Sequence, residues 1–183
     1  GKGTVATVEL EKIDKQCVVR TLEKDIKANT NPEIHLYVAP TKNSDRTEWL
    51  VEKVVEMGIC SIHFIQCKNS ERVHLKSERI LRVAVAAMKQ SVQYHLPEFY
   101  FDVPFAQAWN KAIGMKCLAH CATGEKHQLS QIKSHENQLS LFIGPEGDFA
   151  PEEIKLAANG TALTLGDNRL RTETAAMKVV VQA

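Results

Sequence analysis

The stretch LFIGPEGDFAPEEI, residues 141–154, indicates a sharp change of chain direction at the end of a buried strand. Three apolar, strand-favouring residues run directly into Gly144-Pro145-Glu146-Gly147, and Pro151 marks the start of a helix. Proline restricts the backbone and glycine removes the Cβ, so this turn is stiff and lets a bound molecule approach the main chain. Taken alone, the same residues are also explained by an ordinary tight turn.

Strand and helix patterns alternate on both sides of this stretch. Compact apolar segments predict strands at residues 34–40, 59–66, 98–102, 116–121, 138–143 and 161–165. Helices are predicted within 44–58 and 104–112, from Ser77 to Gln93, and from Pro151 and Thr172. In the first helix, Asp45 and Glu48 form a capping-box pattern and Gly58 supplies the stop. The alternation predicts an α/β fold with a mostly parallel sheet.

The first thirty residues follow a different pattern. GTVATVEL (3–10) alternates like a strand, and QCVVRTLE (16–23) is a short β-branched run. Two or three strands cannot form an independent domain, so we predict a partial β domain at 1–31 whose beginning lies outside this sequence. A linker is predicted at 29–33, and a second domain at 32–183.

Composition narrows the class of protein. The 183 residues are 44% hydrophobic, enough for one good core, and the apolar runs are too short to span a bilayer, so we expect a soluble protein without membrane partners. The five cysteines are odd in number and contain no CxxC pair, which favours reduced, packed thiols in a cytoplasmic protein. The spacing of Cys117, His120, Cys121 and His127 is unlike a standard zinc site, and we expect no metal.

Three glycine-containing loops follow the last predicted strands: 122–128, 144–150 and 166–174. A parallel sheet binds ligands beyond the carboxyl ends of its strands, so these loops predict a common pocket. Glu152 and Glu153, in the first turn of the next helix, would repel a phosphate there. No phosphate-binding P-loop is present, and a G-x-G-x-x-A at residues 1–6 lacks the strand that should precede it.

The third loop also carries charge. In NRLRTETAA (168–176), Arg169, Arg171 and Glu173 lie within five residues of one another at the entry to an apolar helix. Thr172 is predicted to cap that helix, while Arg171 faces a phosphate or a carbonyl oxygen. A capped helix with an Arg–Glu surface pair would explain the same residues.

Together, LFIGPEGDFAPEEI and the later LGDNRLRTETAAM (165–177) resemble the 16S ribosomal RNA uridine N3-methyltransferases of the SPOUT (trefoil-knot) class. KNSDRTEWLVEKVVEMGI (42–59) and MKQSVQYHLPEF (88–99) are similar to further family segments, so the resemblance covers nearly the whole chain. GKGTVATVEL resembles the middle of the family's N-terminal PUA-like RNA-binding barrel. The chain departs from the family pattern at Lys89, Gln93, Asp148 and Ala150, where an acidic residue, arginine, glycine and serine are frequent.

The resemblance implies a SPOUT-type trefoil-knot domain, preceded by a PUA-like β-barrel remnant, that forms a homodimer. It also implies the methyl donor S-adenosylmethionine as cofactor and 16S rRNA within the small ribosomal subunit as substrate. The donor-binding residues it implies are His120, Thr123, Gly124, Ile143, Gly144, Pro145, Gly147, Leu165, Gly166, Leu170 and Thr172. Arg171 and Glu173 would be catalytic, and Lys42, Arg46, Arg79 and Arg82 would contact RNA phosphates.

Three other functions remain compatible with these residues. A non-catalytic RNA-binding assembly factor could share the fold without a donor pocket. A related knotted methyltransferase could act on transfer RNA or on a ribose hydroxyl. A metal hydrolase fits worst, because no HExxH motif or equivalent is present.

Overall fold

The structure, a computed structural model, describes residues 1–30, 33–71, 74–132 and 137–183. The chain begins with an antiparallel hairpin of strands β1 (Thr4–Ile13) and β2 (Cys17–Ile26), in which Leu10 lies opposite Val19. Both predicted strands are therefore confirmed. The predicted boundary between residues 31 and 32, and that part of the predicted linker, lie outside the described residues.

A six-stranded sheet forms the centre of the rest of the chain. The elements are β3 (Glu33–Val38), α1 (Ser44–Glu56), β4 (Ser61–Gln66), α2 (Ser77–Gln90), β5 (Glu98–Pro104), α3 (Phe105–Lys111), β6 (Met115–Ala119), a 3-10 turn (Leu129–Gln131), β7 (Gln138–Ile143), α4 (Pro151–Leu156), β8 (Thr161–Leu163) and α5 (Thr172–Gln182). The strand order is β5-β4-β3-β7-β6-β8, and each neighbouring pair is parallel. The predicted α/β fold with a parallel sheet is confirmed.

Both faces of the central strands are buried, which explains their nearly continuous apolar sequences. Leu36 and Leu141 pack on the face that carries core residues of α1, α2 and α5. Their neighbours Tyr37 and Phe142 point the opposite way, into a second cluster that contains Trp109 of α3. Successive strand residues thus supply two cores, one on each side of the sheet.

Aromatic rings cross the second face as a ladder from strand to strand. Tyr37 stacks on Phe142 at 4.2 Å between ring centroids and on His63 at 4.1 Å, and His63 stacks on Tyr100 at 4.3 Å. Each pair lies in register across neighbouring strands. Burial lowers the pKa of His63 to about 4, so the stacked imidazole is neutral near pH 7.

Two predicted helix ends are corrected by local geometry. The capping box at Asp45 is wrong: Asn43 is the N-cap, and its side chain accepts a hydrogen bond from the Asp45 N–H at 2.9 Å. Asn43 has the extended backbone that a cap requires, whereas Asp45 already lies in the helix. Helix α2 ends at Gln90, not Gln93, because Val92 takes a left-handed conformation with φ of 57°.

The ladder gives a stability prediction. We expect Phe142→Ala to lower the free energy of unfolding by about 3–5 kcal/mol, because Phe142 is fully buried at the centre of the sheet. Tyr100→Ala removes the ring at the open end of the ladder, where 43% of the residue is exposed, and should cost less than about 2 kcal/mol. Urea denaturation measures both changes, and equal losses would contradict the burial pattern.

Candidate functional site

The carboxyl ends of three strands meet at one edge of the sheet. Ile143 of β7 lies opposite Ala119 of β6, which lies opposite Leu163 of β8. The loops that follow these strands surround a cavity of about 700 Å3. Its lining comprises Ala119, His120, Cys121, Lys126, Ile143, Gly144, Pro145, Glu146, Asp148, Leu163, Thr164, Leu165, Gly166, Asp167, Asn168, Arg169, Leu170, Arg171, Thr172 and Ala175. The pocket predicted at these loops is present.

The turn at 144–147, here called the GPEG turn, is closed by a hydrogen bond from the Asp148 N–H to the Pro145 carbonyl at 2.9 Å. A Cβ on Gly144 would stand 3.0 Å from the ring of the buried Phe149, so a larger residue would displace that ring. On its outer side the Asn69 amide donates to the carbonyls of Gly147 and Asp148 at 3.2 and 3.1 Å. Gly147 therefore faces Asn69 and is absent from the cavity lining.

Thr172 fastens the third loop to this turn. Its hydroxyl donates to the Gly144 carbonyl at 3.1 Å, and the residue is buried. The prediction that Thr172 caps α5 is wrong, because the helix starts at Thr172 itself and Arg171 occupies the cap position without a side-chain cap bond. The threonine hydroxyl instead joins two chain segments 28 residues apart, directly beside the cavity.

The two residues predicted to be catalytic lie in different environments. Arg171 is exposed and lines the cavity together with Arg169. Glu173 is only 7% exposed and is absent from the lining. One of its oxygens lies 3.7 Å from the Nε of Arg46, and the other has no hydrogen-bond partner among the described residues. The partner of Glu173 is thus an arginine of α1, which sequence reasoning had placed against RNA.

The first loop contributes less than predicted. His120 lines the cavity, whereas Thr123 and Gly124 are exposed and are absent from its lining. Lys126 does reach the cavity, and its ammonium group donates to the His120 carbonyl at 2.8 Å. Burial, reinforced by the Lys126 charge, lowers the pKa of His120 and favours its neutral form. Lys126 carried no sequence signal, because a single lysine in a polar loop looks like any solvated residue.

Most of the predicted phosphate contacts already have acidic neighbours. Lys42 pairs with Glu71 at 2.7 Å, and Arg79 pairs with Glu48 at 2.6 Å. Arg82 is exposed on α2. These side chains lie outside the cavity lining, so they would contact RNA beyond the reacting nucleotide.

The structure also bears on metal sites and on membrane-spanning helices. Residues 1–30, 33–71, 74–132 and 137–183 contain no group of three or more His, Cys, Asp or Glu side chains arranged to hold a metal ion. Over the same ranges, none of the helices combines the length and apolarity needed to cross a bilayer. None of the five cysteines, all of which lie within the described ranges, forms a disulfide bond.

Comparisons with known proteins agree on one family. Residues 29–182 match the family model described as an RNA methyltransferase domain. The chain is 31% identical to a "probable rRNA-methyltransferase" of Porphyromonas gingivalis, with a TM-score of 0.92 over 99% of this chain and 79% of that one. It is 25% identical to the ribosomal RNA small subunit methyltransferase E of Neisseria gonorrhoeae, solved with S-adenosyl methionine bound, with a TM-score of 0.86 over 99% of this chain and 78% of that one. The Rickettsia conorii protein of the same name is 25% identical over 169 residues, which are 90% of this chain and 69% of that protein.

The link between Thr172 and Gly144 can be tested by one substitution. Thr172→Val keeps the side-chain shape but leaves the buried Gly144 carbonyl unpaired, and we expect it to lower the free energy of unfolding by about 1–2 kcal/mol. Thr174→Val, at an exposed position in the same helical turn, should change it by less than about 0.5 kcal/mol. Urea denaturation measures both, and equal effects would show that the hydrogen bond contributes nothing.

Proposed function

The chain belongs to the RNA methyltransferase domain family, and from that premise we propose that it methylates N3 of a uridine in 16S rRNA of the small ribosomal subunit. The methyl donor is S-adenosylmethionine. The observation that carries the proposal is the cavity at the ends of β6, β7 and β8, with Arg171 among the residues that line it. A cationic residue beside a cavity of cofactor size supports transfer of a methyl group to a base.

The cavity has the size and chemistry that the donor requires. A volume of about 700 Å3 lies within the range of roughly 300–1,000 Å3 common for small-molecule sites. Its wall combines apolar side chains such as Leu165 with charged residues of both signs, Asp167 and Arg169 among them, which suits a ligand that carries a sulfonium, an ammonium and a carboxylate. Phosphate-binding features are not needed for this ligand, which agrees with the acidic first turn of α4.

Backbone groups are proposed to hold the adenine. The main chain of Ile143, Gly144, Leu165 and Leu170 would form its hydrogen bonds and walls, and Pro145, Gly166 and Thr172 would shape the adjoining surface. His120 would close the third side, with Thr123 and Gly124 further out in the same loop. Gly147 would act on the turn from outside, through its contact with Asn69.

The reaction needs a base held in line with the methyl group. S-adenosylmethionine, when bound, supplies a methyl group activated by the neighbouring sulfonium. Uridine N3 carries a proton at neutral pH, so the protein must favour loss of that proton while it aligns the ring. We propose that the N3 proton passes to a solvent water molecule and that Arg171 stabilises the negative charge that develops on a uracil oxygen as it does so.

Glu173 is proposed to orient this site rather than to take the proton itself. Its carboxylate is buried outside the cavity wall and is paired with Arg46, so a substrate would have to displace α1 or α5 to reach it. Held in this way, it fixes the first turn of α5 directly after Arg171. Arg46 thereby gains a role in support of Arg171, in addition to any contact with RNA.

RNA is proposed to lie across the basic side chains near this edge of the protein. Lys42, Arg46, Arg79 and Arg82 would contact phosphates, and such contacts release counterions and weaken steeply as salt rises. The target uridine must leave its stack to enter the site, which favours an accessible nucleotide in a partly assembled subunit. The β1–β2 hairpin is proposed to be part of a PUA-like RNA-binding domain.

A knot in the chain and a homodimer are also proposed. After β8, at the edge of the sheet, the chain returns to Thr172, and α5 packs on β3, β7 and α1. This path supports a trefoil knot formed by the C-terminal segment. Exposed apolar side chains on the packed helices α1 and α5, including Trp49 and Val181, support a homodimer.

Methyl transfer to purified small ribosomal subunits tests the proposal. Incubation with isotopically labelled S-adenosylmethionine should place label in 16S rRNA, and mass spectrometry of the digested RNA should locate it at N3 of one uridine. Label on a ribose hydroxyl, or on transfer RNA offered in parallel, would contradict this assignment. Failure of calorimetry to detect donor binding would instead identify a non-catalytic RNA-binding protein.

Arg171 provides a sharper test of mechanism. We expect Arg171→Ala to abolish turnover while the Kd for S-adenosylmethionine stays within about tenfold, because the lost interaction forms with the base. Lys111→Ala, an exposed cation outside the cavity lining, should change neither quantity. Unchanged turnover in Arg171→Ala would remove this residue from the mechanism.

A further inference from the structure

We propose that Asp148 is a positioning residue that locks the loop after β6 onto the GPEG turn and so sets the width of the donor cavity. The inference rests on the proposed function for the identity of the ligand. The lock itself is a property of the free protein and can be tested without ligand.

The backbone of Asp148 is unusual. Its φ of 62° lies in the left-handed region, which side chains with a Cβ disfavour and glycine accepts readily. Among the described residues only Val92, Asp102 and Asp148 combine a side chain with this conformation. Such strain persists where surrounding contacts enforce it, so the side chain of Asp148 is expected to form compensating interactions.

Those interactions are present on both carboxylate oxygens. Oδ2 accepts a hydrogen bond from the Cys121 N–H at 2.8 Å, and Oδ1 accepts one from the Phe149 N–H at 2.8 Å. Hydrogen bonds from amides to a carboxylate are stronger than those between neutral groups. The first of them crosses 27 residues and joins the loop after β6 to the loop after β7.

The main chain of Asp148 is held by a further hydrogen bond. The Asn69 amide donates to its carbonyl at 3.1 Å. A chain of contacts therefore runs from Asn69 through Asp148 to Cys121. The main chain of Cys121 is thus tied to the GPEG turn by a contact from outside its own loop.

The lock acts on the cavity because the two residues that it joins, Cys121 and Asp148, both belong to the cavity wall. His120, Cys121 and Asp148 all line it, and Thr172 fastens the opposite loop to Gly144. The GPEG turn is thus joined to the loop on each side. Each Asp148 oxygen accepts an amide N–H, so the carboxylate fixes two segments of main chain at the cavity wall.

Three variants separate these roles. Asp148→Gly suits the left-handed backbone but removes the lock, whereas Asp148→Asn keeps the shape and one acceptor oxygen without the charge. Asp102→Gly is the matched control, because Asp102 has a comparable φ of 55°, contacts His74 and is absent from the cavity lining. Amide hydrogen exchange of Cys121 by NMR measures the lock in the free protein. Calorimetry with S-adenosylmethionine measures its effect on the cavity.

We expect Asp148→Gly to abolish the protection of the Cys121 amide and to raise the Kd for S-adenosylmethionine about tenfold. In Asp148→Asn the Kd should stay within about threefold of the original protein, and in Asp102→Gly both quantities should be unchanged. Equal weakening by Asp148→Asn and Asp148→Gly would contradict the positioning role, because Asp148→Asn keeps an oxygen that can accept the Cys121 N–H.

Two further results would overturn the inference. If Cys121 stays protected in Asp148→Gly, the lock does not exist. If protection is lost while the Kd is unchanged, the lock does not shape the cavity. Absence of donor binding by the original protein would refute the proposed function and the donor part of this inference, whereas the Cys121 exchange rates would still decide whether the lock exists.

Discussion

The carbonyl of Gly144 is the point on which the site depends. It follows the last residue of the central strand β7 and accepts the Thr172 hydroxyl, so the final helix starts where the buried strand ends. The missing Cβ of Gly144 leaves room for Phe149, which packs in the second core against Phe105. One glycine therefore connects the sheet, the last helix and the α3 side of the fold. The cavity forms at this junction because three loops are held there by contacts that the core itself makes rigid.

The ion pair between the buried Glu173 and the partly exposed Arg46 shows that α1 is part of the same arrangement. A carboxylate that is 7% exposed is costly to bury unless it is paired, and its partner comes from the first turn of α1. Thr47 of that helix is buried and joins the network of Thr41, in the loop that follows β3. The start of α1 and the start of α5 are consequently fixed to each other. This explains how Arg171, which is itself exposed, can be held at a defined place in the cavity wall.

The sequence predicted what local patterns encode and missed what distant contacts decide. The strand at 138–143 and the start of α4 at Pro151 were predictable, because an apolar run and a proline act within a few residues. The partner of Thr172 was not, since Gly144 lies 28 residues away and an N-cap role is the local alternative. The cap at Asn43 was missed because Asp45 and Glu48 have the spacing of a capping box. The sequence marked Asp148 only as a departure from a family pattern. Its hydrogen bond to Cys121 could not be predicted, since the two residues lie 27 positions apart.

The predicted RNA-binding cations differ in how exposed their acidic partners are, and this decides how readily each cation can exchange its partner for an RNA phosphate. Lys42 and Glu71 are both largely exposed, and a solvent-exposed ion pair contributes little to stability, so a phosphate can replace the carboxylate readily. Arg79 is an intermediate case, because its partner Glu48 is only 16% exposed and gains less from water when released. Arg46 cannot leave without stranding the buried Glu173. A chain with net charge of only +1 can therefore still present cations to RNA, because its acidic groups neutralise exposed cations only until a phosphate competes for them.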